Sequence, residues 1–242
     1  MRKGEEKKQE ILSVAEQLFC TRGYEETSVQ DILDVIHGSK GGFYHYFVSK
    51  EDVLRQICAA RAQASGALAL ERLQGVAEPM ERLNLALRMA IPLRAEEQTF
   101  LAMLIPQLGR PETISVRTVY QEAIAEVFAP LIADEVRQAA AVGAVYPVTE
   151  GLEQVVLALL NQCWLHAALL LYERVQRRRR PDAGELLDIL KPYRKSIETL
   201  LDAPYGSVEL IQLQEWDQLA EWLQARMSAV AYRTPPTEQK RR

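Results

Sequence analysis

Nine residues near the N-terminus, SKGGFYHYF at positions 39–47, gather four aromatic rings, a histidine and a lysine. Ser39, Lys40, Tyr44 and His45 carry groups that donate hydrogen bonds to phosphate oxygens or base edges. Gly41 and Gly42 keep the element slim enough for close approach to a groove, while Phe43 and Phe47, four apart, are expected to turn inward. The chemistry on offer is recognition by hydrogen bonding. Bond-making chemistry has no comparable set: the chain shows no phosphate loop, nucleophile triad, metal motif or recognisable pair of catalytic carboxylates, and has three histidines.

The flanking residues say how such a segment is held. A first helix is expected over about 5–22, with Ile11, Ala15, Leu18 and Phe19 on one stripe and Gly23 closing it. Thr27 followed by Gln30 has the spacing of a capping box and starts a short second helix bearing Val29, Ile32, Leu33 and Ile36 on one face. His37 and Gly38 break the pattern, Ser39 caps a third helix, and Ser49 caps a fourth that runs into the seventies. Two short helices joined by a tight turn form a helix-turn-helix, whose second helix is sized for the major groove.

Residues 27–54, TSVQDILDVIHGSKGGFYHYFVSKEDVL, resemble the DNA-binding segment of the TetR family of transcriptional regulators, and the likeness extends over about 8–55. The resemblance implies phosphate contacts from Thr27, Tyr44 and Lys50 and groove contacts from Ser39, Lys40, Gly42 and His45. Lys50 also lies at a helix N-terminus, which favours a phosphate. One departure stands out: where the family reads Ala-Gly-Val before Ser-Lys, this chain has Ile36, His37 and Gly38. His37 is then expected at positive φ, and the apolar plug is expected to be missing at Gly38.

Beyond the fourth helix, apolar spacing and prolines predict helices at roughly 79–91, 94–108, 111–141, 149–177, 182–202 and 207–231. Pro106, Pro130 and Pro192 fall inside these patterns and are expected to kink or end them. The 149–177 segment carries Val155, Val156, Leu159, Leu160, Leu169, Leu170 and Leu171 around much of its circumference, so burial on more than one side is expected. Pairing it and the 182–202 helix with their copies across a twofold axis makes a four-helix homodimer interface and an inverted-repeat operator. By the same resemblance the larger domain holds a small-molecule effector. Met89, Phe100, Met103, Gln107, Tyr120, Phe128, Asn161, Trp164 and His166 mix large apolar groups with a few polar ones and are the candidate lining, although helically spaced aromatics more often form core. The 207–231 stretch adds an amphipathic helix, with Trp216, Leu219, Leu223, Met227 and Val230 on one face.

Of the 242 residues, 48% are hydrophobic and 26% charged, enough for a real core. Residues 1–50 hold seven Lys and Arg against eight Asp and Glu, so the expected DNA face is a patterned surface within a mildly acidic protein. Cys20, Cys58 and Cys163 are odd in number and widely spaced, and with no signal-peptide pattern the chain reads as cytoplasmic. Val155 to Tyr172 nearly reaches membrane-spanning length, but Asn161, Gln162 and His166 interrupt it and favour a buried helix. Cys163 and His166 have a C-x-x-H spacing without a second pair nearby, so no metal and no cofactor is expected. From Pro204 onward five basic residues meet five acidic ones, which gives no pull toward anionic lipid.

The resulting expectation is an all-α protein: a helix-turn-helix DNA-binding domain at 1–52, a ligand-binding and dimerisation bundle at 53–232 with an extra C-terminal helix, and a flexible tail at 233–242. Its partners are double-stranded operator DNA, its own copy and an unidentified small-molecule effector, with no membrane partner and no enzyme activity. A helical enzyme, or a small-molecule-binding protein with a degenerate DNA-binding domain, is the competing reading.

Overall fold

The computed structural model describes residues 3–94, 97–105, 114–177, 179 and 182–231, and every regular element among them is helical. In chain order the helices are α1 (Lys3–Arg22), α2 (Val29–Val35), α3 (Lys40–Tyr44), α4 (Lys50–Leu73), α5 (Pro79–Met89), α6 (Gln98–Leu104), α7 (Ile114–Ala141), α8 (Glu153–Gln176), α9 (Ala183–Leu201) and α10 (Leu213–Ala231).

Local chemistry starts and stops most of them. Gly23 takes φ 105° after α1, and its N–H bonds the Phe19 carbonyl at 3.0 Å. Ser39 caps α3 by accepting from the Gly42 N–H, and Ser49 caps α4 by accepting from that of Asp52. The cap of α2 lies one residue later than the Thr27 spacing suggests. Ser28 accepts the Asp31 N–H at 3.1 Å, and Asp31 returns a bond from the Ser28 N–H at 2.8 Å, while Thr27 is turned inside. These bonds, the Ser28 hydroxyl first, hold the Asp31 carboxyl below its usual range.

Boundaries shift elsewhere for tertiary reasons. Residues 91–94 are buried in a turn, so α6 begins at Gln98 instead of 94. Residues 204–212 form an irregular strap, so α10 begins at Leu213 instead of 207. The Asn84 side chain in α5 donates to the Ser207 carbonyl at 2.8 Å and accepts the Glu209 N–H at 2.9 Å; buried Glu198 accepts the Gly206 N–H at 2.8 Å. Pro130 and Pro192 lie within α7 and α9 and end neither helix, a correction to half of the expectation; Pro106 lies outside the described residues.

α4 packs on α5 and α7, α7 on α8, and α8 on α9, while α10 lies against α6 and α8 and α1 joins the bundle through α4 and α6. A fork from Arg82 to the buried Glu135 carboxylate, at 2.7 and 2.8 Å, ties α5 to α7. The paired geometry compensates for taking the carboxylate out of water. By length and composition α8 is apolar enough to cross a membrane, but in the fold half of that window is buried. Val156, Leu160, Trp164, Ala167 and Leu171 point into the core, whereas Val155 remains half exposed.

Candidate nucleic-acid interface

α1 and α2 bury one common apolar face, and α3 sits on them through its aromatic residues. Phe43 and Phe47 are each 1% exposed, with ring centroids 5.5 Å apart. Burying each stabilises the seating of α3 by about 1.5–3 kcal/mol. With those rings as anchors, Ser39, Lys40, Gly41, Gly42, Tyr44 and His45 all face outward, and Tyr44 is 56% exposed. One side of a five-residue helix is thus apolar and fixed, while the other offers hydroxyls, an ammonium and an imidazole to a partner.

The turn before α3 is held by a backbone hydrogen bond at the cost of strain at His37. His37 has φ 49°, and the Gly38 N–H bonds the Leu33 carbonyl at 2.9 Å. The gap expected at Gly38 is filled from behind: a Cβ there would lie 3.0 Å from the Ile36 side chain and 3.1 Å from Leu33 Cδ2. Ile36, only 8% exposed, therefore supplies the apolar plug two residues early. A cleft of 440 Å³ remains beside it, between Ile11, Ile36, Gly38, Phe43 and Tyr46.

Three of the seven DNA-facing expectations find their side chains engaged within the chain, Ser39 through its cap bond from the Gly42 N–H at 3.1 Å and Thr27 and Lys50 more fully. Thr27 is fully buried and its hydroxyl donates to the Gly23 carbonyl at 2.8 Å, so in this arrangement the side chain serves the turn after α1 and not a solvent-facing contact. Lys50 is half-buried; its ammonium donates to the Tyr24 carbonyl at 2.9 Å and lies 4.2 Å from the Tyr24 ring centroid.

The expected effector residues divide. Phe100, Tyr120, Phe128, Trp164 and Met89 are all buried. Phe100 and Tyr120 have ring centroids 4.9 Å apart, and Tyr120 meets Trp164 edge-on at 6.2 Å, so α6, α7 and α8 share an aromatic cluster. Burial pushes the Tyr120 hydroxyl well above its ordinary pKa, with Glu97 adding to the effect. Asn161 is half-buried and accepts the Trp164 indole N–H at 3.2 Å. His166 does not join them: it is exposed on the far side of α8, its Nδ1 2.7 Å from the Tyr193 hydroxyl of α9. Cys163, three residues before it on α8, is buried, so the two members of the C-x-x-H spacing differ in exposure. The Met103 side chain and Gln107 lie outside the described residues.

Beneath Phe100 lies a group of charges absent from that set. Arg61 of α4 sits 4.9 Å from the Phe100 ring centroid and pairs with Glu16 of α1 and, at 3.1 Å, with Glu97. Glu97 also accepts the Ser65 hydroxyl at 2.9 Å, and Arg94 donates to Ser65 at 3.0 Å. The only sequence signal was Arg94 and Glu97 three apart, which reads equally well as a solvated helix face.

Residues 11–57 match the family model described as bacterial regulatory proteins, tetR family. Over 45 residues the chain is 49% identical to an uncharacterised HTH-type transcriptional regulator in the lacX 3' region of Lactococcus lactis subsp. lactis, covering 19% of this chain and 23% of that protein. Over 75 residues it is 32% identical to the HTH-type transcriptional repressor KstR2 of Mycobacterium tuberculosis, covering 31% and 38%. The chain therefore spans well under half the length of the curated relatives it matches. Among solved structures it is similar to Thermus thermophilus FadR, a TetR family transcriptional repressor in complex with lauroyl-CoA, at 22% identity and a TM-score of 0.54, covering 77% of this chain and 92% of that one.

A seated third helix on a three-helix head, carried by a larger helical bundle, defines a helix-turn-helix fold. Within it, residues 11–57 are similar to the tetR family of bacterial regulatory proteins.

Proposed function

We propose that this chain is a ligand-responsive transcriptional repressor that binds an inverted-repeat operator as a homodimer in the cytoplasm, acting by binding and not by catalysis. The observation that carries this reading is the two-sided α3: Phe43 and Phe47 fully seated, with Ser39, Lys40, Tyr44 and His45 turned outward. Ser39, Lys40, Gly42 and His45 read the groove, Tyr44 and Lys50 meet phosphates, and Thr27 contributes by shaping the turn that precedes α2. The head spans 1–52, the effector and dimerisation bundle 53–232, and the tail 233–242. Half-exposed Val155 on α8 and Leu187 on α9 support a partner copy packed against these two helices. The effector is held at the aromatic cluster of Phe100, Tyr120 and Trp164, and it releases DNA by binding better to a conformation whose recognition helices are mis-spaced.

Fluorescence anisotropy with DNA from upstream of the chain's own gene, against a scrambled duplex and at several salt concentrations, tests the reading. Preference that survives moderate salt is expected. If fragments selected from the whole genome also show no preference, the head is degenerate and the protein is a small-molecule binder only.

A further inference from the structure

Four charged side chains alternate in sign across the junction of the head and the bundle: Glu16 on α1, Arg61 on α4, Glu97 before α6, and Arg94 in the turn preceding it. Arg94 and Glu97 are buried, at 4% and 7% side-chain exposure, and Arg61 is only 22% exposed. Burial works against the Arg61 charge, but the Glu16 and Glu97 carboxylates overcome it, so the guanidinium is held above its ordinary pKa. Removing a partner of buried Glu97 or Arg94 leaves an uncompensated charge, so these pairings are costly to break one at a time.

Glu97 has a particular position. It is the N-cap residue of α6, yet its side chain makes no cap bond to that helix; its oxygens are committed to Ser65 and Arg61 of α4 instead. α6 has seven residues, too few to hold itself, so its start depends on this tie. Phe100, one turn on, lies between the Arg61 guanidinium and Tyr120. Any molecule that displaces Phe100 therefore acts on the same guanidinium that holds Glu16 of the head.

We propose that Glu97–Arg61–Glu16 is an ionic latch: Arg61, held by one carboxylate from each side, makes the placement of α6 and the packing of α1 a single two-state unit. This rests on the regulator reading above and names the residues that carry its regulation. Loss of either carboxylate frees Arg61 to follow the other, so a change made in α1 appears in α6 and the reverse.

The test uses full-length protein. Glu16→Gln and Glu97→Gln are made singly and together, with Asp134→Asn, an exposed position of α7, as a charge control, and amide hydrogen exchange is followed in α6 and α1. Faster exchange in 98–104 on Glu16→Gln, and in α1 on Glu97→Gln, is expected, with the double variant no faster than the quicker single one. Affinity for a fragment selected by the wild type is expected to change by about fivefold or more in each single variant and not in the control. Unchanged α6 exchange in Glu16→Gln overturns the latch, and that variant suffices if Glu97→Gln does not fold because Glu16 is partly exposed. If the wild type selects no fragment, the regulator reading fails while the exchange experiment still decides the latch.

Discussion

Lys50 reaches back from the first turn of α4 to Tyr24, donating to its carbonyl at 2.9 Å with the ammonium 4.2 Å from the ring centroid. The contact fastens the turn between α1 and α2 to the helix that leads into the bundle. Lys50→Met keeps the aliphatic stem and removes the charge, and is expected to cost about 1 kcal/mol in a urea titration. In DNA binding the same variant is expected to lower the salt slope by about 1. A stability loss with an unchanged slope would assign Lys50 to the scaffold alone.

Glycine at position 37 is expected to stabilise the head, because His37 sits at φ 49° without the freedom glycine has there. His37→Gly should raise the unfolding free energy by about 1 kcal/mol, read as a higher denaturation midpoint at constant slope. Gly38→Val should do the opposite, by about 1–3 kcal/mol, since its Cβ lands 3.0 Å from Ile36. Adding Ile36→Ala to Gly38→Val should restore part of the loss, moving the plug to the family's usual position.

Much of the head was legible in sequence because its determinants are local. Gly23, Ser39 and Ser49 lie within four residues of the groups they bond, and the Phe47 N–H bonds the Phe43 carbonyl at 3.0 Å just past α3. Thr27 misled because two adjacent hydroxyls each have a polar residue three positions on, and only burial of one decides between them. In the bundle, helices were legible from apolar period but partners were not. Glu16 and Arg61 are 45 residues apart, and Arg61 and Glu97 36, so nothing in a helical window links them. His166 was misplaced for a related reason: a helix buried on most sides does not reveal which residue takes its remaining open face.

Gly66 on α4 is a contact point with α7. A Cβ there would stand 2.4 Å from Val127 Cγ1, and a β-branched side chain in a helix has few rotamers with which to retreat. Gly66→Ala is therefore expected to lower stability by about 1–3 kcal/mol despite improved helix propensity. Val127→Ala in the same chain should recover most of it, as read by thermal melting.

Val155 and Leu187 are 50% and 47% exposed on α8 and α9. Val155→Glu and Leu187→Glu are expected to leave the fold intact by circular dichroism and to shift sedimentation toward the monomer. Retention of a dimer in both variants would move the proposed interface to another face.

Alkaline pH should weaken the fold from about pH 9 upward. Burial pushes the Cys58 and Cys163 thiols up to about 12, and Tyr24 also to about 12, through burial first and then Glu25, Glu51 and Cys58. Each group keeps its proton longer when folded, so the stabilisation is complete below its unfolded pKa, about 9 for Cys and about 10 for Tyr, and is lost as pH rises toward 12. Tyr24→Phe should flatten the decline above pH 10 in guanidinium titrations. The two thiols should also stay unreactive toward a disulfide reagent at pH 8 until the protein is unfolded.

The bonds from Asn84 to Ser207 and Glu209 join chain segments 123 and 125 residues apart. At ribosomal speeds of about 5–20 residues per second, the strap reaches its seat on α5 about 6–25 s after Asn84 is made. The three-helix head is by then long complete. A nascent or prematurely terminated chain thus carries a finished head on a bundle whose α6–α8 flank still lacks Trp216 and Leu219. For this protein, quality control during synthesis has to protect the back of the molecule while the front is already folded.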